Sequence, residues 1–482
     1  MKTKITPKPD LVLNNINDTD SYKPSHFLLY GEGLDYMESY LEARGGEFDV
    51  CTLFGLQYIQ HKYLSNPITL ENIDEMETDM LAHGEPFNKE GWLHILNKYE
   101  GRLPITIRAI PEGMIIPIKN AIMIVRSPKD NKCAWITNWL ETMLSRVWYA
   151  SEVAIASREL RKVWKTFLEL SSDNPEAEIS FKHHDFGSRG VTCREQAMLG
   201  GAAHLLNFLG SDTLAGIKMA NHYYDVPMAG FSIPATEHST MTIWGRGGEH
   251  DAVVRWVTKT LVERQVPVGV PKLSACVGDS YDIFEFTRMI CKDDIRLLVK
   301  NSGGTLVERP DSGDPIATLL KIFNIFEMCL PKDEITINTK GYKVLPSYFR
   351  LIWGDGINRR SAPLILKAIT DAGWSASNIA FGSGGGLLMD FNRDTQRYAF
   401  KCSYAIINGQ SVKVSKDPIT DHSKKSKEGR LDLIRLADGT LKTVALDDGV
   451  DAHPDSVFET YFDMGDILYH TTFAEIRKRM AL

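Results

Sequence analysis

The 482-residue chain has no CxxC pair, and its seven cysteines are odd in number and far apart in sequence. That pattern argues against both a thiolate metal site and a disulfide framework; reduced buried thiols fit a cytosolic protein. No apolar run approaches the ~18 to 20 residues of a membrane span. The opening MKTKITPKPDLVLNN lacks the apolar core of a signal peptide, so neither membrane insertion nor export is expected. Positive charge is in deficit, with 55 Lys and Arg against 62 Asp and Glu. A broad nucleic-acid surface is thereby disfavoured, and an anionic ligand would need its cations gathered locally. No GK[ST] follows a glycine cluster, which excludes a Walker A loop. Short repeats and low-complexity tracts are absent as well.

What is present is an ordinary globular balance, 43% hydrophobic and 24% charged, over a length natural for two or three domains. Apolar residues recur at helical spacing from Trp135 to Leu170, and the SSDNP segment at 171–175 breaks that pattern. A different texture follows. EISFKHHDFGSRG leads into CREQAMLGGAAHLLNFL, and LSACVGDSYD into IFEFTRMI. GTLVERPDSGDP leads into IATLLKIFNIFEM, FRLIWGDGIN into APLILKAITDAG, and NIAFGSGGGLL closes the series. Short strand, polar loop and helix in repetition predict a parallel α/β barrel-like domain over 181–390. Its loops HDFGSRG, EHST, GDSYD, RPDSG, WGDG and GSGGG should converge at the C-terminal strand ends. From Arg393 the texture changes again to hairpins, one in FKCSYAIINGQSVKV and one turning at Asp438-Gly439. A mixed α+β domain built from both chain ends, 1–180 and 391–482, is therefore expected.

In this order these loops resemble the nicotinamide phosphoribosyltransferases, relatives of the nicotinate enzymes. The resemblance runs nearly end to end, through DTDSYKPSH, FGLQYI, FNKEGW, LPITIRAIPEG, TNWLET, HDFGSRG, GSDTLAG, PATEHST, GDSYDI, RPDSGDP, GDGI, IAFGSGGGLL, FKCSY and KDP with SKKSKEGR. It implies transfer of a ribose 5-phosphate unit from phosphoribosyl pyrophosphate to nicotinamide in NAD salvage. It also implies a cytoplasmic homodimer with shared active sites, magnesium, and ATP as co-substrate.

Site roles follow by resemblance, and each can be weighed chemically. A flat neutral amide needs aromatic faces and directed hydrogen bonds. Phe186 would supply one face and Tyr22 of a second subunit the other. Asp212 would accept the amide N–H and repel the carboxylate of nicotinic acid. Arg189 and Arg309 would line the same pocket. Relatives carry Ser where Ala275 stands, so either one hydrogen bond is missing or Ser274 shifts to replace it. The 5′-phosphate would meet backbone N–H groups in the turns holding Gly354, Asp355, Gly384 and Gly385. Arg393 and Lys401 would reach it across the dimer interface, and Ala399 replaces a phosphate-binding Ser. Arg44, Lys416, Lys424 and Arg430 would face pyrophosphate, although a run such as KKSK is ordinarily a solvated loop. Asp311 would bind the ribose hydroxyls, and Asp279 with Asp311 would hold magnesium through oxygen. His238 would be phosphorylated by ATP, with Glu237 orienting the ring. His183 and His184 have no evident third ligand and read as structural.

Three rival readings differ in what they require. A nicotinate or quinolinate phosphoribosyltransferase needs cations facing a substrate carboxylate, where Asp212 stands. A barrel glycosidase would use a carboxylate pair such as Asp279 and Asp311. It would need aromatic sugar platforms and no glycine-rich loops. A non-enzymatic relative would show decayed site residues, and nearly all are intact.

Overall fold

The computed structural model describes residues 14–30, 33–420, 425–447 and 449–482. It divides into two compact units. One comprises the described residues up to Ser151 with Arg393–Arg479; the other comprises Glu152–Asn392 with Met480–Leu482. Among the described residues no helix is long and apolar enough to cross a membrane.

In the first unit, strands β1 (Leu34–Ala43), β2 (Thr106–Ala109) and β3 (Ala121–Arg126) are almost wholly buried. They lack the alternation of a half-exposed strand because both faces are covered. Helix α1 (Leu70–His83) starts on a Thr69–Asn72 capping box and stops at left-handed Gly84. Helix α2 (Lys89–Tyr99) places Trp92 against Trp135 and Trp139, edge to face, with ring centroids 5.0 to 5.5 Å apart. This aromatic knot anchors the unit's helical layer.

The second unit opens with most of α3 (Val147–Ser171). The sequence pattern placed the first boundary at 180, but the division falls at Ser151. The reason is visible in α3. Trp164 packs on Phe381 and donates its indole N–H to His183 Nδ1 at 3.3 Å. Ser157 bonds His204 Nδ1 at 2.9 Å, and Arg161 bonds the Asn207 carbonyl at 2.6 Å. The helix thus packs its apolar stripe on the parallel sheet.

That sheet alternates with helices as the texture predicts. Strands β4 (His183–Asp185) and β5 (Gly210–Ser211) are joined by α4 (Arg194–His204). Helices α5 (Leu214–Tyr223), α6 (His238–Thr242) and α7 (Glu249–Val257) precede β6 (Leu273–Val277). Then come α8 (Ile283–Ile290), β7 (Thr305–Arg309), α9 (Pro315–Cys329) and β8 (Phe349–Trp353). Helix α10 (Ser361–Asp371), β9 (Ile379–Ser383) and the single turn α11 (Gly385–Leu388) finish the series. The sheet order is β5-β4-β9-β8-β7-β6, parallel at every pairing. Asp282 and Asp314 cap the helices that follow the polar loops.

The two edges of this sheet are bridged by an extended segment that is not a full strand. Phe231 pairs with Gly210 on β5, and Ala235 pairs with Ala275 on β6. Pro234 has no N–H to give, but its carbonyl accepts from Ala275 N at 2.8 Å. Curling the sheet this way makes one mouth out of loops distant in sequence.

The chain then returns to the first unit. Strand β10 (Tyr398–Ile407) turns through Asn408 and Gly409, both at positive φ, into β11 (Gln410–Lys413). This is the primed hairpin turn favoured by strand twist. The second hairpin, β12 (Leu431–Arg435) with β13 (Leu441–Ala445), has left-handed Gly439 in its turn, as its Asp-Gly predicts. With β14 (Glu459–Asp463) and β15 (Asp466–Ile467), the antiparallel sheet reads β11-β10-β1-β3-β2-β14-β15. An α/β fold with a curled parallel sheet and a separate antiparallel sheet drawn from both chain ends is the fold class the sequence implied.

Candidate active site

At the mouth of the second unit, the C-terminal ends of β6, β7 and β8 bring three acidic loops together. Asp279, just past β6, is nearly buried and receives His238 Nε2 on Oδ1 at 2.9 Å. Its other oxygen accepts the Ser312 hydroxyl. Asp311, two residues past β7, lies 3.9 Å from the Arg309 guanidinium. Burial pushes the Asp311 carboxyl upward; Arg309 and His238 oppose this, while the Asp279 and Asp355 carboxylates add to it. The mouth thus concentrates negative charge around one flanking arginine.

Glu237 does not hold His238. It stands at the N-cap of the short helix α6: its carbonyl takes the Thr240 N–H at 3.1 Å, its own N–H goes to the Thr240 hydroxyl at 3.2 Å, and its carboxylate takes the Ser239 hydroxyl. The partner of the imidazole is Asp279, 41 residues away in sequence and adjacent only after folding.

Phe186 follows β4, and its backbone N–H is fixed to the Ser383 carbonyl at 2.9 Å. It packs against the buried cluster of Ala275, Val307 and Ile352, as Ile233 and Ala380 also do. Gly382 and Gly354 make room for the Phe186 ring: a Cβ on Gly382 would lie 2.0 Å from it, and one on Gly354 3.3 Å. The glycines therefore serve the aromatic seat as well as any ligand. The turns do not open long helices. Gly385–Leu388 is a single turn, and α10 begins five residues after Gly356. Arg189 lies exposed in the tight turn after Phe186, and the next residue, Gly190, nears the Gly385 backbone: a Cβ there would lie 3.2 Å from its nitrogen.

Asp212 stands on the loop after β5. Its N–H bonds the Asp185 carbonyl at 2.9 Å, and its carboxylate receives the Ser232 hydroxyl. Asp185 is fully buried, accepts Gly187 N at 2.7 Å, and is pushed up to about 6 by burial. Ser274 does not stand in for the missing hydroxyl at 275. It points to the opposite face of β6 and bonds Thr260 at 2.8 Å, while Ala275 joins the apolar floor under Phe186.

In the histidine pair next to Phe186, His184 Nε2 meets the Phe181 carbonyl at 2.9 Å. His183 accepts from Trp164 on Nδ1 and meets the Ser383 hydroxyl through Nε2 at 2.8 Å. Burial holds it well below the ordinary histidine value, with His204 and His184 adding to the effect.

In the first unit, three of the predicted phosphate-binding cations fall within electrostatic reach of a fourth, Lys401. Burial lowers the Lys401 ammonium's proton affinity. Glu141 opposes this, and Arg44, Lys416 and Arg393 lower it further. Arg44 is held by Glu42 at 2.9 Å, and Lys416 is exposed in a loop tied through Ser426. Ala399 lies opposite Glu42 across the β1–β10 pairing. Arg430 is not free for a ligand; it is buried and bonded to Asp451 at 2.9 Å. Lys424 lies outside the described residues. Tyr22 is 55% exposed and stands edge-on to His26.

Pattern reading passed over Ser232, Ser312, Asp185 and Glu42. Ser312 sits inside RPDSG and Asp185 inside HDFGSRG, so both lay within motifs already noted. Ser232 and Glu42 lie outside them and give no local signal.

Among the described residues, the three-ligand group with metal-binding spacing is His94, Asp130 and Cys133. Lys98 and Tyr99 occupy the same Asp130 oxygen, at 2.6 and 2.9 Å. A cation already fills that place, and the group is structural. At the mouth, Asp311 offers the hard oxygen donors that magnesium prefers, with Arg309 3.9 Å away, while Asp279 is engaged by His238 and Ser312. One or two carboxylates, completed by substrate phosphates and water, suit magnesium.

A parallel barrel whose mouth joins an acid cluster to glycine-rich turns, on a chain that also gathers cations, defines an enzyme of the phosphoribosyltransferase class, one that moves a pentosyl group. Residues 181–459 match the nicotinate phosphoribosyltransferase (NAPRTase) family, and residues 14–107 match the nicotinamide phosphoribosyltransferase N-terminal domain. The chain is 44% identical over 472 residues to the nicotinamide phosphoribosyltransferase of Xanthomonas campestris pv. campestris, covering 96% of this chain and 97% of that protein. It is 28% identical over 507 residues to the enzyme of that name from Acinetobacter baylyi, covering 97% of each. Among solved structures, nicotinate-nucleotide pyrophosphorylase from Pyrococcus furiosus superposes with a TM-score of 0.58 at 14% identity, covering 100% of this chain and 97% of that one. Human nicotinic acid phosphoribosyltransferase gives 0.55 at 16% identity, covering 96% and 92%. These two likenesses concern the fold alone. The chain belongs to the nicotinate phosphoribosyltransferase family.

Proposed function

We propose that this chain forms nicotinamide mononucleotide and pyrophosphate from nicotinamide and phosphoribosyl pyrophosphate, in NAD salvage. The observation that carries this reading is an oriented carboxylate next to the strand that leads into Phe186: Asp212, on the loop after β5, takes the Ser232 hydroxyl and ties its N–H to the carbonyl of buried Asp185. A carboxylate accepts an amide N–H and repels the carboxylate of nicotinate. The names of the relatives in Xanthomonas and Acinetobacter agree with it.

The pyridine nitrogen attacks the anomeric carbon with its own lone pair, and the bonding pair of the C–O bond leaves on pyrophosphate. No proton has to be removed from the nucleophile. The protein therefore acts by positioning and electrostatics. Phe186 seats the ring, Asp311 receives ribose hydroxyls, and the turns at Gly354-Asp355 and Gly384-Gly385 receive the 5′-phosphate. Arg44 and Lys416 face pyrophosphate. Magnesium held by Asp311, with Asp279 in support, would supply positive charge against the departing pyrophosphate.

His238 gives the site a second use, as acceptor of the ATP γ-phosphoryl group. With Nε2–H donated to Asp279, the neutral imidazole leaves its Nδ1 lone pair free. The Nδ1–P bond forms as the bond to ADP breaks, with its electron pair leaving on ADP. Water later hydrolyses the phosphohistidine, coupling ATP to product formation. We place the enzyme in the cytoplasm, as a homodimer in which Tyr22, Arg393 and Lys401 reach the other copy's site.

The test compares nicotinamide with nicotinic acid, each with phosphoribosyl pyrophosphate and magnesium, with and without ATP. Preference for nicotinamide, enhanced by ATP in the wild type and not in His238→Ala, is expected. Preference for nicotinic acid would retain the transfer chemistry and overturn the base-pocket argument.

A further inference from the structure

The strand β1 carries a carboxylate that the proposed reaction does not use. Glu42 is 3% exposed on a strand buried on both faces. It nonetheless meets two cations. Its Oε1 accepts from Arg44 Nε at 2.9 Å, and its Oε2 from the Lys427 ammonium. The Tyr40 hydroxyl donates to Oε1 at 3.4 Å and accepts the Lys427 backbone N–H at 2.9 Å. Lys427 comes from the loop before β12, 385 residues away in sequence, and pattern reading did not single it out.

A buried carboxylate with one cationic partner would be a structural ion pair. Here one carboxylate holds two, leaving a net positive charge beside Lys401, Arg393 and Lys416. Arg44 has a further feature: its Nη2 is shielded from solvent and meets no acceptor among the described residues. The guanidinium is thus fixed through Nε while part of its fork stays unfilled, and such a fork matches phosphate oxygens. Without Glu42, Arg44 and Lys427 would repel one another and lose that orientation.

We infer that Glu42 is a positioning residue of the anion cluster, yoking Arg44 and Lys427 through one buried carboxylate so that both cations meet the pyrophosphate group. Lys427 thereby joins the pyrophosphate contacts. This inference rests on the proposed phosphoribosyl transfer.

The test uses full-length Glu42→Gln, Lys427→Gln and the double variant. For each, KM for phosphoribosyl pyrophosphate, KM for nicotinamide, and the inhibition constant of inorganic pyrophosphate are measured. Each single variant should raise the first and third on the order of tenfold and leave the nicotinamide KM within a factor of about two. The double variant should be no worse than the more affected single one, because both changes break the same unit. A merely structural ion pair would lower stability or kcat without this selective loss. Wild-type pyrophosphate inhibition and substrate KM in Glu42→Gln would overturn the inference. If that variant fails to fold, the exposed-side Lys427→Gln decides on the same readouts. Wild-type protein that consumes no phosphoribosyl pyrophosphate would overturn the transfer reading itself, and this inference with it.

Discussion

Asp212 and Ala275 illustrate how much one side chain's facing decides. Asp212 is exposed, yet its carboxylate is oriented by Ser232 and its backbone by Asp185. Replacing Asp212 with Asn keeps the size and removes the charge. The expected outcome is a rise of roughly tenfold in nicotinamide KM and a narrowed preference over nicotinic acid. Steady-state kinetics on the two bases would check it, and an unchanged preference would contradict the role. Ala275 was legible as a departure, but its consequence was not. Adjacent strand residues point to opposite faces, so Ser274 cannot cover for it, and pairing with β7 sets which face is inward. Glu237 is a similar case. Proximity in sequence favoured it as the partner of His238, whereas helix capping claims Glu237 and folding supplies Asp279.

Strands β7 and β9 show what elements impose on single positions. On β9, Gly382 lies under the Phe186 ring, so Gly382→Ala should displace it. The variant should lose stability by about 1–3 kcal/mol through overpacking and bind nicotinamide poorly; a melting curve and the KM test both parts. On β7, Val307 faces the floor under Phe186, while Glu308 points away into α8 and accepts the Thr287 hydroxyl at 2.6 Å. Burial pushes the Glu308 carboxyl up to about 8, with the Thr287 hydrogen bond opposing. A raised folded-state value favours the native state fully below the unfolded value of 4.5, and that contribution is lost as pH rises toward about 8. Glu308→Gln, which cannot ionise and keeps an acceptor for Thr287, should therefore raise the melting temperature at pH 8. The gain should shrink at pH 5, and equal gains at both would sink the argument.

At the scale of the whole molecule, the proposed dimer makes a prediction that no single chain can satisfy. Tyr22→Ala removes the face lent to the other copy, and Asp212→Asn damages the pocket that receives it. Each variant alone should be weakly active. Mixed under conditions of subunit exchange, they should regain activity, because one of the two sites in each mixed dimer has both residues intact. No regain despite demonstrated exchange would place Tyr22 outside the shared site.

The rhythm of strand, polar loop and helix was enough to establish the barrel and its mouth, because period and turn chemistry are local properties of the chain. The two terminal hairpins were equally plain, since Asn-Gly and Asp-Gly turns carry their conformation in two residues. The boundary near the start of α3 was not, because helical spacing marks an apolar face without saying which sheet will cover it. Folding alone decided that His238 meets Asp279, that Phe186 rests on Gly382, and that Arg44 and Lys427 share Glu42. Each of these joins residues between 41 and 385 positions apart. Long-range partners depend on sheet register and curvature, which are set by packing of the whole core and not by any short stretch of sequence.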